Sequence, residues 1–365
     1  MPARQRKESP APTVSATLRA SLRGLRVLEL SRYVPGPFCC FLLSELGAEV
    51  WKVEEPGGGD PLRALDPEAF RRLNRGKKSL AIDLKSKPGR SVFLRLVGMT
   101  DVLVEGFRPG AMERLGLGAE SICRRFPRLV YLSISGYGQE GPYRERAGHD
   151  LNYLAVAGAL GSEVPRIQVA DFAAGGLYGA LAVVAALFRR TGSGRGGYID
   201  LAMVDGVVSF LALALSRAGE LLSGRYPNYG IYRTRDGRNL SVAALEPKFW
   251  SNFCRALRRE DLSRRAGDPA ARTEVEKILA AGDLEDWMRI FSRSDVCVEP
   301  VSRPETARDH PQVAHRGITD PELGTPLARS HRSRAPALGE HTRPVLTEIG
   351  FGEEELSRLE TQGVL

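Results

Sequence analysis

Residues 25–54 read LRVLELSRYVPGPFCCFLLSELGAEVWKVE, and this stretch decides the fold class. LRVLEL (25–30) is a short apolar run of strand formers. SRYVPGP (31–37) is a turn-rich loop, 38–46 is an apolar helical run, and AEVWKVE (48–54) is a second strand. The same alternation continues downstream. KSLAIDL (78–84) is a strand, 91–99 carries helical periodicity, and DVLVEGF (101–107) and LVYLSIS (129–135) are further strands. Strands alternating with helices predict a parallel, doubly wound α/β sheet.

Beyond this core, a long helix is expected over 171–190 and a short strand with an apolar helix over 198–215. LYGALAVVAALF (177–188) has 12 apolar residues, short of the ~20 that span a bilayer, so a buried core helix is expected and no membrane partner. The texture changes near Arg225. IYRTRDGRNLSVAAL (231–245) predicts a hairpin turning at Asp236-Gly237. Short charged helices follow, then a strand at CVEPV (297–301), a surface connection over 302–345 and an amphipathic C-terminal helix. The expected organisation is a disordered basic extension at 1–23, a large domain at 24–224, a small α+β domain at 225–320, and a return to the large domain over 321–365. The extension lacks the apolar core of a secretory signal; an Arg-rich transit peptide is the alternative reading.

The chain has 365 residues, 42% hydrophobic and 26% charged, with a formal charge of +8. That mix excludes disorder, collagen and coiled coil for the bulk of the chain. Five cysteines without a C-x-x-C pair, and five histidines without metal spacing, argue against a disulfide scaffold and a zinc site. A reducing, cytoplasmic compartment fits. The basic excess is spread out and no reader motif accompanies it, so no nucleic-acid partner is expected. A weak positive field suits a polyanionic small ligand.

GYGQEG (136–141) matches G-x-G-x-x-G after a strand, but Pro142-Tyr143-Arg144-Glu145 follows where a dinucleotide site needs a helix. Three acid–base candidates stand at element junctions: His149-Asp150 in AGHDLNY, Asp171 in VADFAAGG and Glu246 in ALEPKFW. An aspartate at a helix start ordinarily caps amides. The same position suits oxyanion stabilisation, proton transfer by paired groups, or nucleophilic attack on a thioester. Residue types alone leave these open.

From Gly24 to Leu365 the chain resembles the family III CoA-transferase and α-methylacyl-CoA racemase superfamily. The resemblance is carried by GLRVLELSRYVPGPFCCFLLSELGAEVWKVEEPGGGDPLR, NRGKKSLAIDLKSKPGR, DVLVEGFRPGAMERLGLG, SISGYGQEGPYRERAGHDLNYLAVAGALG and VADFAAGGLYGALAVVAALFRRTGSGRGGYIDLAMVDG. It implies a Rossmann-like large domain, a small domain, and an obligate, interlocked homodimer. Gly148-His149-Asp150 resembles the racemase branch, whereas Asp171 is shared with the nucleophile of the transferases. Glu246 falls where a racemase carboxylate orients the histidine.

The implied reaction is racemisation of a 2-methylacyl-CoA by 1,1-proton transfer. His149 and Asp171 serve opposite faces of the α-carbon, and the Asp150 amide stabilises the enolate. CoA is part of the substrate, and no metal or redox cofactor is implied. Arg114 matches an arginine near the site; Arg108 and Lys85 match positions lining the CoA phosphate or adenine region. The alternatives are a CoA-transferase working through an Asp171 acyl anhydride and a noncatalytic acyl-CoA-binding homologue. Three departures bear on the acyl and CoA sites: a short segment between Gly161 and Asp171, Ile167 where asparagine is frequent, and Glu55 where some racemases carry arginine.

Overall fold

A computed structural model describes residues 18, 20–161, 163–316, 325–327 and 333–365. The disordered extension expected at 1–23 falls mostly outside the described residues. Of its last residues, Leu22 is buried, and its amide donates to the Leu46 carbonyl at 2.9 Å.

The chain divides into two compact units, Met1–Ser209 with Ala314–Leu365, and Phe210–Val313. In the first, six strands form one parallel sheet: β1 Arg26–Leu30, β2 Glu49–Glu54, β3 Lys78–Ala81, β4 Val102–Glu105, β5 Val130–Ser135 and β6 Gly197–Ala202. Their order is β3-β2-β1-β4-β5-β6, the Rossmann order, which reverses direction between β1 and β4. Side chains alternate across the sheet as strand geometry requires. Val27, Val50, Val102 and Val130 pack under α1 (Pro35–Glu45) and the long helix that ends in α2 (Tyr178–Ser193). Leu28, Trp51, Leu80 and Leu103 pack on the opposite face with helix Lys87–Gly98 and the C-terminal residues Val345, Leu346 and Leu356.

That C-terminal segment also covers the edge of β3. Thr342 Oγ1 accepts from the Ala81 amide at 2.9 Å, and the Asp83 amide donates to Val364 O at 2.8 Å. An edge so occupied cannot template pairing with another chain.

The helix expected from Asp171 begins instead as a π-helical segment, Ala170–Leu177, before α2. Its Gly175 and Gly176 lie against α1. A Cβ at Gly176 would stand 2.6 Å from Phe38 Cδ1, and one at Gly175 would stand 2.8 Å from Pro35 Cβ. The helix Ala170–Ser193 has the length and apolarity of a membrane span. Within the unit, however, Val183 and Leu187 are in the core and Arg190 pairs with Asp101 at 2.8 Å.

The second unit holds an antiparallel sheet, β7 Tyr229–Arg233, β8 Asn239–Ala243 and β9 Val298–Pro300. Its hairpin turns at Asp236-Gly237, where Gly237 has φ +77°. Helices Pro247–Ala256, Pro269–Leu279 and Leu284–Phe291 cover the sheet; the Trp250, Phe253 and Phe291 rings stack at 5.4 Å between successive centroids. This unit starts 15 residues before the expected boundary at 225, because 210–224 folds as short helical turns within it. The surface connection expected over 302–345 carries the helices Pro304–Ala307, Pro311–Arg316 and Thr342–Glu348. All five cysteines are unpaired.

Candidate active site

The carboxyl ends of β1, β2 and β3 and the loop after β4 enclose a cavity of about 310 Å³. It lies beside the β1/β4 reversal, where open α/β sheets bind ligands. Leu30, Val53, Ile82 and Phe107 give it apolar walls, and Arg32, Lys85 and Arg114 bring positive charge. Arg32 lies over the Phe107 ring at 5.4 Å. Lys85 pairs with Glu55 at 2.7 Å, and this contact holds the Glu55 carboxyl below its ordinary range. Thus the expected ligand-binding residues Lys85 and Arg114 line the cavity together, while Arg108 is exposed and does not.

Beneath the cavity lies a buried ionic network that motif reading passed over. Glu29 and Lys52 are direct register partners in β1 and β2. Lys52 Nζ lies 2.8 Å from Glu29 Oε1 and 3.0 Å from Asp60 Oδ2, and donates to Ser31 O at 2.8 Å. Lys77 Nζ lies 2.7 Å from Glu29 Oε2 and donates to Pro37 O at 2.9 Å. Burial alone would raise the Glu29 carboxyl, but the two ammonium groups pull it down to about 2. The loop 31–37 is therefore fastened near both ends by buried charge. The sequence signal was a charged residue inside each of two strands that otherwise read as core.

Past β5, the glycine-rich segment 136–141 forms turns with no helix opening on it, as the sequence implied. The chain then reaches the helix Asp150–Ala157. His149 is its N-cap, in extended conformation, and its amide donates to Asn152 Oδ1 at 3.0 Å. The amides of Asp150 and Leu151 find no acceptor among the described residues, as expected for the first turn of a helix. They form an electropositive corner beside the exposed His149.

Asp150 is buried, and its Oδ1 accepts the Asp171 amide at 3.0 Å. This one bond joins the two helix starts. The Asp171 carboxyl itself makes no hydrogen bond among the described residues. Burial first, and then the Asp150 charge, push it up to about 7. The Tyr153 hydroxyl donates to Gly148 O at 2.5 Å. A Cβ at Gly136 would fall 2.3 Å from the Tyr153 ring and one at Gly148 2.7 Å from it, so both glycines are fixed by close approach.

Glu246 belongs to the second unit, immediately before Pro247 at the head of helix Pro247–Ala256. Among the described residues, no group of three or more His, Cys, Asp or Glu side chains is placed to hold a metal ion.

Comparison with known proteins agrees with this architecture. The model for CoA-transferase family III matches residues 22–342, and the chain belongs to that family. It is 38% identical to the human α-methylacyl-CoA racemase, with 94% of this chain and 97% of the relative covered. It is 31% identical to the mouse succinyl-CoA:glutarate CoA-transferase, with 94% and 90% covered. Among solved structures it resembles a CAIB/BAIF family protein from Brucella suis with a TM-score of 0.77 at 29% identity, covering 91% of this chain and 100% of that one. A hypothetical protein from Mycobacterium tuberculosis gives 0.78 at 31% identity, covering 89% and 98%.

Proposed function

We propose that this enzyme racemises 2-methylacyl-CoA thioesters by 1,1-proton transfer, with His149 and Asp171 as the two acid/base groups. The observation that carries the reading is the Asp171 carboxyl, buried beside Asp150, without a hydrogen bond among the described residues and pushed up to about 7. A group titrating near working pH can both take and return a proton. One group removes the α-proton and the other delivers a proton to the opposite face. The enolate formed between these steps places its oxygen at the Asp150 amide. Electrons and atoms balance without a metal or redox cofactor. The cavity with Lys85 and Arg114 suits the nucleotide end of CoA, and exposed Arg108 is close enough in sequence to serve its phosphates. Glu246 enters as the histidine's partner by family resemblance alone.

The family's transferase branch supports a second reading, in which an ionised Asp171 attacks the thioester and forms an acyl anhydride. His149 separates the two. In deuterated water, a single-enantiomer 2-methylacyl-CoA should gain deuterium and lose chirality, and His149→Ala should stop both while sparing any CoA transfer. Absence of uptake across several acyl chains, with CoA transfer to a free dicarboxylic acid that Asp171→Ala removes, would replace the first reading with the second.

The reading includes a homodimer. Leu181 and Phe188, 60% and 79% exposed, lie with Leu177 along one side of the Ala170–Ser193 helix. An uncovered apolar stripe of this kind marks an association surface. Sedimentation should give a dimer mass at micromolar concentration, and Phe188→Glu should shift it toward monomer. A monomeric wild type would remove the dimer from the proposal.

A further inference from the structure

Tyr33 has φ 63°, and only Arg258 shares a left-handed backbone among the described non-glycine residues. For a bulky residue this conformation is an outlier, so the surroundings must impose it. Here they do. The Tyr33 amide donates to Asp60 Oδ1 at 3.1 Å, and Asp60 is buried and paired with Lys52 at 3.0 Å. The carbonyls of Ser31 and Pro37, on either side of Tyr33, are held by Lys52 and Lys77. Buried charge, and not local preference, sets the path of this loop.

The strain has a visible product. The Tyr33 ring stands edge-on to the His149 imidazole, with centroids 6.4 Å apart and planes at 89°. It is the one aromatic ring that meets His149 among the described residues. The Tyr33 hydroxyl makes no hydrogen bond there, so the ring is what matters. The Asn152 bond fixes the backbone of His149, the capping box turns the imidazole toward the Asn152 amide, and the Tyr33 ring packs against it from another element.

We propose that Tyr33 is a positioning residue, held in a strained conformation by the Asp60–Lys52–Glu29 network so that its ring orients the His149 imidazole. The proposal rests on the proton-transfer reading for its kinetic consequence, but not for the contact itself. It places no catalytic step on Tyr33.

The test compares wild type, Tyr33→Phe, Tyr33→Ala and Tyr33→Gly in α-proton exchange and in NMR spectra of the His149 ring protons, assigned with His149→Ala. An aromatic edge contact is worth about ten-fold in a rate that depends on it. Tyr33→Ala should therefore lower kcat about ten-fold with KM little changed, and should move the His149 resonances. Tyr33→Phe should restore both. Tyr33→Gly relieves the backbone strain, so it should be folded and still as slow as Tyr33→Ala. Wild-type kcat and unmoved resonances in Tyr33→Ala, or equal losses in Tyr33→Phe and Tyr33→Ala, would overturn the proposal. If wild type exchanges no α-proton, the proton-transfer reading fails, and the resonances alone decide whether Tyr33 orients His149.

Discussion

Asp171→Asn should lower α-proton exchange by about 10²–10⁴-fold and, at pH 8, make the protein more stable. The two effects have one cause. Asparagine keeps the backbone amide that donates to Asp150, so the helix start is preserved. It removes a carboxyl that burial and the neighbouring Asp150 charge push up to about 7. Unfolded, that carboxyl ionises near its ordinary value of 3.8. Between these two pH values the folded chain binds the extra proton, so stability falls as pH rises from about 4 to about 7, and the full cost remains above that. Asparagine escapes it, for a gain on the order of 2 kcal/mol after allowing for partial solvent access. Urea unfolding of the two proteins at pH 8 and pH 4 would show a gap that closes in acid. If wild type and variant are equally stable at pH 8 as well as at pH 4, Asp171 is not held against its preference, and its selection as proton carrier loses its physical basis.

Lys52→Met should destabilise the chain by about 3–5 kcal/mol, whereas Lys85→Met should change it by about 0–1 kcal/mol. The two lysines make ion pairs of nearly equal length, 2.8 Å to Glu29 and 2.7 Å to Glu55. What differs is the medium. Lys52 and Glu29 are fully buried, while the Lys85 side chain is 79% exposed. Removing the Lys52 ammonium strands Asp60 and half of Glu29 away from water and releases the Ser31 carbonyl. Removing Lys85 returns Glu55 to solvent. Denaturant midpoints for the two variants at pH 7 would check the ratio, and equal midpoints would mean that the network adds nothing to stability. The same network gives an acid limit. Glu29 is depressed from 4.5 to about 2, so its contribution is complete above pH 4.5 and is lost as pH falls toward 2.

The two lysines also divide what was legible from what was not. Lys85 follows the KSLAIDL strand in a motif, and the resemblance assigned it to ligand; the structure places it on the cavity. Lys52 sits in EVWKVE, where period-2 reading makes it one more side chain of a strand. Only the pairing of β1 with β2 puts it against Glu29. Asp171 was legible as a helix start, but not as the first turn of a π-helical segment, because apolar spacing does not register one extra residue per turn.

By itself, the sequence determined the alternation of strands and helices, the hairpin at Asp236-Gly237, and His149, Asp150 and Asp171 as the polar residues at element starts. These depend on backbone periodicity, turn chemistry and capping, which act over a few neighbouring residues. The tertiary structure alone decided that Asp150 would hold the Asp171 amide, that Tyr33 would reach His149, and that Glu29 would gather Lys52 and Lys77. Each of those contacts joins residues at least 21 positions apart. The energy that selects them comes from burying charge and packing rings, and it exists only once the sheet has brought the strand ends together.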